Sequence, residues 1–181
     1  MNGRRAQLVA CAALLAGAAP EPPDYRMDDY RSPTPATLSG AEVLTTDDAH
    51  ALWLKRAALF VDVLPQPPRP PGLPASTIWH PKPRFDIPGS IWLPDTGYGA
   101  LAAVMQSYFE QGLAQASGGD RNRTLVFYCL QDCWMSWNAA KRALAVGYTH
   151  VAWYRDGTDG WQDHGFPTEP REPVPRPPAS E

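Results

Sequence analysis

The chain has 181 residues, a formal net charge of −3 and a pI near 5.8. That length suits one domain with its own core, and the charge balance excludes the basic footprint of a nucleic-acid-binding surface. The 21 prolines cluster at 20–35, 65–74, 81–94 and 167–178. Both ends therefore read as loose arms, and PQPPRPPGLP (65–74) as a stiff extended loop.

Arg4-Arg5 precede the apolar run AQLVACAALLAGAA, and Ala16-Gly17-Ala18 offers a small-x-small cleavage site. This pattern predicts a secretory signal peptide over residues 1–18, too short to persist as a membrane span, and hence a periplasmic protein. Leu8-Val9-Ala10-Cys11 resembles a lipoprotein box, but the apolar run continues past it. Cleavage after Ala18 removes Cys11. The two remaining cysteines then sit in an oxidising compartment, where close thiols pair, bind metal or exchange disulfides.

Residues 19–40 read as a flexible proline-rich arm. Thr46-Asp47-Asp48 marks a helix start, with Ala49, Leu52, Trp53 and Arg56-Ala57 at helical spacing. ALFVDVL (58–64) suits a strand buried on both faces, and IPGSIWLP (87–94) holds another short strand. Leu101, Val104, Met105, Tyr108, Phe109 and Leu113 define an amphipathic helix stopped by Gly118-Gly119. TLVFYC (124–129) reads as a strand. A helix follows from about Met135, with Trp137, Ala140 and Leu144 on one face and Gly147 as its stop. HVAWY (150–154) is the last strand, closed by Asp156-Gly157, and residues 168–181 form a proline-rich tail. The alternation over 41–167 predicts an α/β domain: a mostly parallel central sheet flanked by helices, with the cysteine loop at a strand's carboxyl end. Functional sites gather there in such sheets.

Cys129 and Cys133 enclose Leu130-Gln131-Asp132, and Trp134 follows. A strand-to-helix loop turns backbone N–H groups inward, and the helix dipole favours a thiolate at Cys129. Asp132 opposes it. Cys133 has the spacing to resolve a mixed disulfide or persulfide on Cys129, which makes Cys129 the attacking thiol and Cys133 the resolver. A staple is the plainer reading, but so short a loop gains little from closure. Copper binding by the two thiolates is the rival, with Met135, His50, His80, His150 or His164 as a third ligand. Otherwise no cofactor is expected. Trp134 either caps the loop or offers a docking face. Trp137, Trp153 and Trp161 read as core, and Asp62 as an acceptor for loop backbone N–H groups.

Three stretches together resemble the rhodanese-like domain over roughly residues 40–167: ALFVDVL with Asp62-Val63, FDIPGSIWLP, and LVFYCLQDCWMSWNAAKRALAVGYTHVAWYRDGTDGWQDHGFP (125–167). The Cys…Cys-Trp loop and MSWNAAKRA are similar to a secreted subgroup associated with catabolism by pyrroloquinoline quinone (PQQ)-dependent alcohol dehydrogenases, usually written with two residues between the cysteines. The resemblance implies periplasmic redox partners, thiol–disulfide or persulfide chemistry, and functional positions at Cys129, Asp132, Cys133, Trp134 and Asp62. Typical sulfurtransferases of the family carry Cys-x-x-Gly-x-Arg. Here Asp132 stands at the glycine and Trp134 at the anion-clamping arginine, while Leu64 follows Asp-Val in place of arginine and Asp86 replaces histidine. Efficient turnover of thiosulfate is therefore not expected.

Overall fold

The computed structural model describes residues 20–74 and 76–176. The signal peptide, Cys11 and positions 177–181 of the tail lie outside the described residues. In chain order the elements are β1 (Glu42–Leu44), α1 (Thr46–Leu54), β2 (Leu59–Asp62), β3 (Arg84–Asp86), β4 (Ile91–Trp92), α2 (Ala103–Ser117), β5 (Leu125–Tyr128), α3 (Trp134–Ala145), β6 (Val151–Tyr154), α4 (Gly157–Asp163) and β7 (Glu169–Arg171). The strands and helices expected from periodicity are present, shortened at their ends. Strands β1, β3 and β7 and helix α4 were not anticipated.

The main sheet has five strands in the order β1-β6-β5-β2-β4, with every pairing parallel. Its two faces follow from the alternation of side chains along a strand. Leu125 and Phe127 of β5 face one core layer with Phe109 and Leu113 of α2 and Trp137 and Ala140 of α3. Val126 and Tyr128 face the other, with Ala49 of α1 and Trp161 of α4. Trp137, Trp153 and Trp161 are fully buried, as expected of Trp137 from its helical spacing and of the other two from the family resemblance. Helix α1 starts at a reciprocal cap: Asp48 N–H donates to Thr45 Oγ1 (3.2 Å), and Thr45 N–H donates to Asp48 Oδ2 (3.3 Å). Helix α2 stops at Gly118, whose φ of 66° is the left-handed conformation that suits glycine.

The two proline-rich ends do not behave as loose arms where they are described. Residues 20–38 form a strap along the outer side of α3. Asn138 accepts the Arg26 N–H (2.9 Å) and donates to the Arg26 and Gly97 carbonyls (2.9 Å each). Trp137 Nε1 donates to Thr37 O (3.1 Å), Lys141 Nζ to Pro23 O (2.6 Å), and Leu38 enters the core. Backbone without regular pairing is thus satisfied by polar side chains of a neighbouring helix, which explains why α3 is buried on nearly all sides. At the other end, β7 pairs antiparallel with β3, and Val174 N–H donates to Trp92 O (2.9 Å). Among the described residues no helix is long and apolar enough to cross a membrane.

Candidate functional site

Strand β5 delivers Cys129 at its carboxyl end. The loop then turns through Asp132, held at φ 51°, and Cys133 becomes the N-cap residue of α3. Cys129 and Cys133 are joined as a disulfide, with Cα atoms 6.4 Å apart. Both residues are buried, at 0% and 2% exposure.

This arrangement changes the electrostatic assignment. Cys133, rather than Cys129, stands at the amino end of α3, where the unpaired N–H groups and the helix dipole stabilise a thiolate. Cys129 Sγ instead lies 3.5 Å from the Cys133 carbonyl and 3.8 Å from the Leu130 carbonyl. Carbonyl oxygens can accept from a thiol, whereas the helix end favours negative charge at Cys133. Asp132 is half-buried beside the pair.

The loop is held from below by α4. Thr158 donates to Cys129 O from both its N–H (3.0 Å) and its hydroxyl (3.2 Å), and Gln131 N–H donates to Asp159 Oδ2 (3.1 Å). Gly157, at φ 56°, lets the two segments touch: a Cβ there would lie 2.5 Å from Cys129 O and 2.8 Å from the Leu130 carbonyl carbon. From above, the strap closes the site. Trp134 N–H donates to Tyr30 O (2.9 Å), its indole N–H donates to Ser32 Oγ (3.0 Å), and the Arg26 guanidinium stacks 5.2 Å from its ring centroid. Trp134 is 2% exposed. It caps the loop and is not an exposed docking face.

Asp62 accepts the Leu64 N–H at 2.8 Å, as its strand-end position suggests. It also accepts from Arg84 Nε at 2.6 Å, which the sequence reading did not foresee. Arg84 Nη2 donates onward to Thr158 Oγ1 (3.2 Å), so a chain of hydrogen bonds runs from Asp62 to the Cys129 carbonyl. Arg84 Nε also lies 2.9 Å from Asp86 Oδ1, but its N–H is directed at Asp62, and neither Asp86 oxygen has a hydrogen-bond partner among the described residues. Burial first, then the Asp62 charge, push Asp86 up to about 9. Burial likewise lifts Tyr128 well above the usual phenol range; its hydroxyl donates to Ser90 Oγ (2.8 Å). Burial alone would lower Arg84, but Asp62 and Asp86 together raise it.

The other candidates lie apart. Arg142 turns away from the loop to donate to the Thr96, Tyr98 and Gly99 carbonyls. His50 is stacked on Phe166 with ring centroids 3.7 Å apart. His150 contacts Thr149, His164 contacts the Gly160 carbonyl, and His80 is exposed. Met135 follows Trp134 in the first turn of α3 and packs beside Gly97. Among the described residues no three His, Cys, Asp or Glu side chains converge. Tyr30, Arg84, Asn138, Thr158 and Asp159 complete the site without having been singled out. Only the charge pattern Arg84-x-Asp86 near Asp62 carried a sequence signal for any of them.

The family model described as the rhodanese-like domain matches residues 54–164, more than half of the chain. Among solved structures, the chain is similar to a thiosulfate sulfurtransferase from Pseudomonas aeruginosa at 20% identity and a TM-score of 0.51. That match covers 77% of this chain and 22% of the other. An uncharacterised protein from Saccharomyces cerevisiae matches at 26% identity and a TM-score of 0.43, over 70% of this chain and 95% of that one. A polysulfide-sulfur transferase from Wolinella succinogenes matches at 19% identity and a TM-score of 0.43, over 72% and 80%. No curated protein gives a significant match.

Proposed function

The chain belongs to the rhodanese-like domain family, and on that premise we propose that it handles thiol–disulfide or persulfide chemistry through Cys129 and Cys133. The observation that carries this reading is the closed pair at the carboxyl end of β5, with Cys133 capping α3. In the reducing direction, a donor thiolate attacks Cys129 Sγ. The Cys129–Cys133 bond breaks, and its electron pair leaves on Cys133, where the helix end stabilises it. The donor's second thiol, as thiolate, then displaces Cys129 from the mixed disulfide. The donor dithiol leaves as a disulfide, and the protein holds two reduced cysteines. In persulfide transfer, Cys129 gives up its proton as its sulfur attacks the outer sulfur of a polysulfide, whose S–S bond breaks and whose shortened chain leaves. Cys133 then attacks Cys129 Sγ, restores the protein disulfide and expels hydrosulfide. Both routes place the intermediate on Cys129; Cys133 is the leaving thiolate in the first and the resolving thiol in the second.

Doubly charged thiosulfate is a poor donor here. Trp134 stands at the family's clamping arginine position, and Arg142 is engaged elsewhere. The similarity of the Cys…Cys-Trp loop and MSWNAAKRA to the PQQ-associated subgroup, with the signal-like amino terminus, supports a periplasmic place. The redox partner there is a protein of a PQQ-dependent alcohol oxidation system.

The test is trapping. Reduced Cys133→Ser protein, treated with glutathione disulfide or polysulfide, should hold one glutathionyl or persulfide adduct on Cys129 by mass spectrometry. Wild type under the same treatment should return to the disulfide, with metal analysis of the same samples scoring bound copper. Wild type that never re-forms the disulfide, or that loads copper in place of exchanging, refutes the reading.

A further inference from the structure

The cysteine site occupies the carboxyl ends of the strands. A second cleft lies at the opposite pole. It measures about 590 Å³ and is lined by Trp53, Leu54, Leu59, Phe60 and Pro88, with Arg56 and Arg123 among its walls. Arg56 follows α1, and Arg123 lies two residues before β5, so both stand at the amino ends of the parallel strands β2 and β5.

Three features mark the cleft as built for a ligand. First, no acidic residue lines it, and among the described residues neither arginine side chain has a hydrogen-bond or ion-pair partner. Every other boundary of the cleft is apolar or backbone. Second, its aromatic wall is fixed in advance. Trp53 Nε1 donates to Pro88 O at 2.8 Å, and the ring packs against His50 and Trp161 with centroids 5.6 Å away in each case. Third, Arg56 occupies a position that favours another residue. Helix α1 ends in a Schellman arrangement, with Arg56 N–H donating to Trp53 O (2.9 Å) and Ala57 N–H to Leu52 O (3.0 Å). The first of these two residues must take the left-handed conformation, and Arg56 does so at φ 52°. Glycine is the residue suited to that place, and departures from such local rules concentrate at functional sites.

We propose that this cleft binds a small amphipathic anion, an aryl- or alkyl-chain carboxylate, whose acid group is held by Arg56 and Arg123 and whose apolar body lies against Trp53, Leu59 and Phe60. The volume falls in the range of small-molecule pockets, and a few placed polar groups within an apolar lining are their usual composition. Guanidinium groups suit carboxylates because of their planar fork of donors. The site is independent of the disulfide chemistry, and its failure would leave that reading untouched.

The experiment uses 4-phenylbutyrate as probe and 4-phenylbutan-1-ol as its uncharged counterpart. Titration followed by calorimetry and by the Trp53 indole N–H resonance should show the acid binding and shifting that resonance, with the alcohol at least roughly tenfold weaker. Arg56→Gly should raise the melting temperature by roughly 2–4 °C, because it relieves the backbone. It should also weaken 4-phenylbutyrate by roughly tenfold. Arg123→Gln should weaken binding to a similar degree without the thermal gain. The proposal is overturned if 4-phenylbutyrate leaves the Trp53 signal unmoved at millimolar concentration. It is equally overturned if acid and alcohol bind alike, or if the double variant retains wild-type affinity. An Arg56 that serves only the helix end would alter the melting temperature and nothing else.

Discussion

Replacing Asp86 by Asn tests the charge count beneath the cysteine loop. One guanidinium, Arg84, faces two buried carboxylates, Asp62 and Asp86. A single proton on the pair brings the cluster to neutrality, consistent with Asp86 being pushed up to about 9 by burial and by Asp62. A carboxyl raised in the folded state contributes its full stabilisation below the unfolded value, 3.8, and loses it as pH rises through about 9. Between those limits each pH unit costs wild type about 1.4 kcal/mol relative to a side chain that does not titrate. From about pH 5 to about pH 8 that sums to at most about 4 kcal/mol, and coupling within the cluster brings it to roughly 2–4 kcal/mol. Asn keeps the shape and offers an N–H donor toward Asp62, so Asp86→Asn mimics the protonated form at every pH. Urea unfolding of the oxidised proteins across that range should show the stability gap, variant minus wild type, widening by this amount. A gap that stays flat means Asp86 does not hold the proton, and the charge count fails.

Asn138→Ala removes three hydrogen bonds to the Arg26 backbone and Gly97. It should cost about 2–3 kcal/mol in urea unfolding and speed reduction of the disulfide by dithiothreitol several-fold, because the strap over Trp134 is freed. Gly157→Ala places a Cβ 2.5 Å from Cys129 O at a positive φ. A loss of more than about 2 kcal/mol is expected, with the loop amides of Leu130 and Gln131 displaced in NMR spectra. Asp132→Asn preserves a residue type tolerant of φ 51° and removes a carboxylate beside the pair. The glutathione equilibrium should move roughly threefold or more toward the dithiol, and alkylation of the reduced protein near neutral pH should quicken.

What could be read from the sequence was whatever repeats along it. The apolar runs around Val61 and Phe127 located strands, and the spacing of Tyr108, Phe109 and Leu113 located a helix. The cysteine loop was placed correctly because it is contiguous. Its electrostatics were harder to read, because which cysteine becomes the N-cap depends on where α3 begins, and a one-residue shift to Trp134 puts Cys133 there. Proline content signalled poor self-packing, correctly. It carried no information about Asn138 and Lys141, the side chains on a distant helix that satisfy the strap's backbone. Arg84 was hidden for a similar reason: β3 becomes a strand only by pairing with β7 near the other end of the domain.

The strap has a consequence for the order of assembly. Its bonds to the site join residues far apart along the chain: Arg26 with Asn138 across 112 positions, Ser32 with Trp134 across 102, and Thr37 with Trp137 across 100. Contacts of such separation are late to form, because loop closure is unfavourable until the intervening chain is organised. The parallel sheet and α3 can assemble while residues 20–38 are still undocked, and during that interval Cys129 and Cys133 are open to whatever oxidises them. Docking of the strap then seals the bond beneath Trp134. The strap is the last piece to be fitted, and in the finished protein exchange at Cys129 and Cys133 waits on its lifting from Trp134.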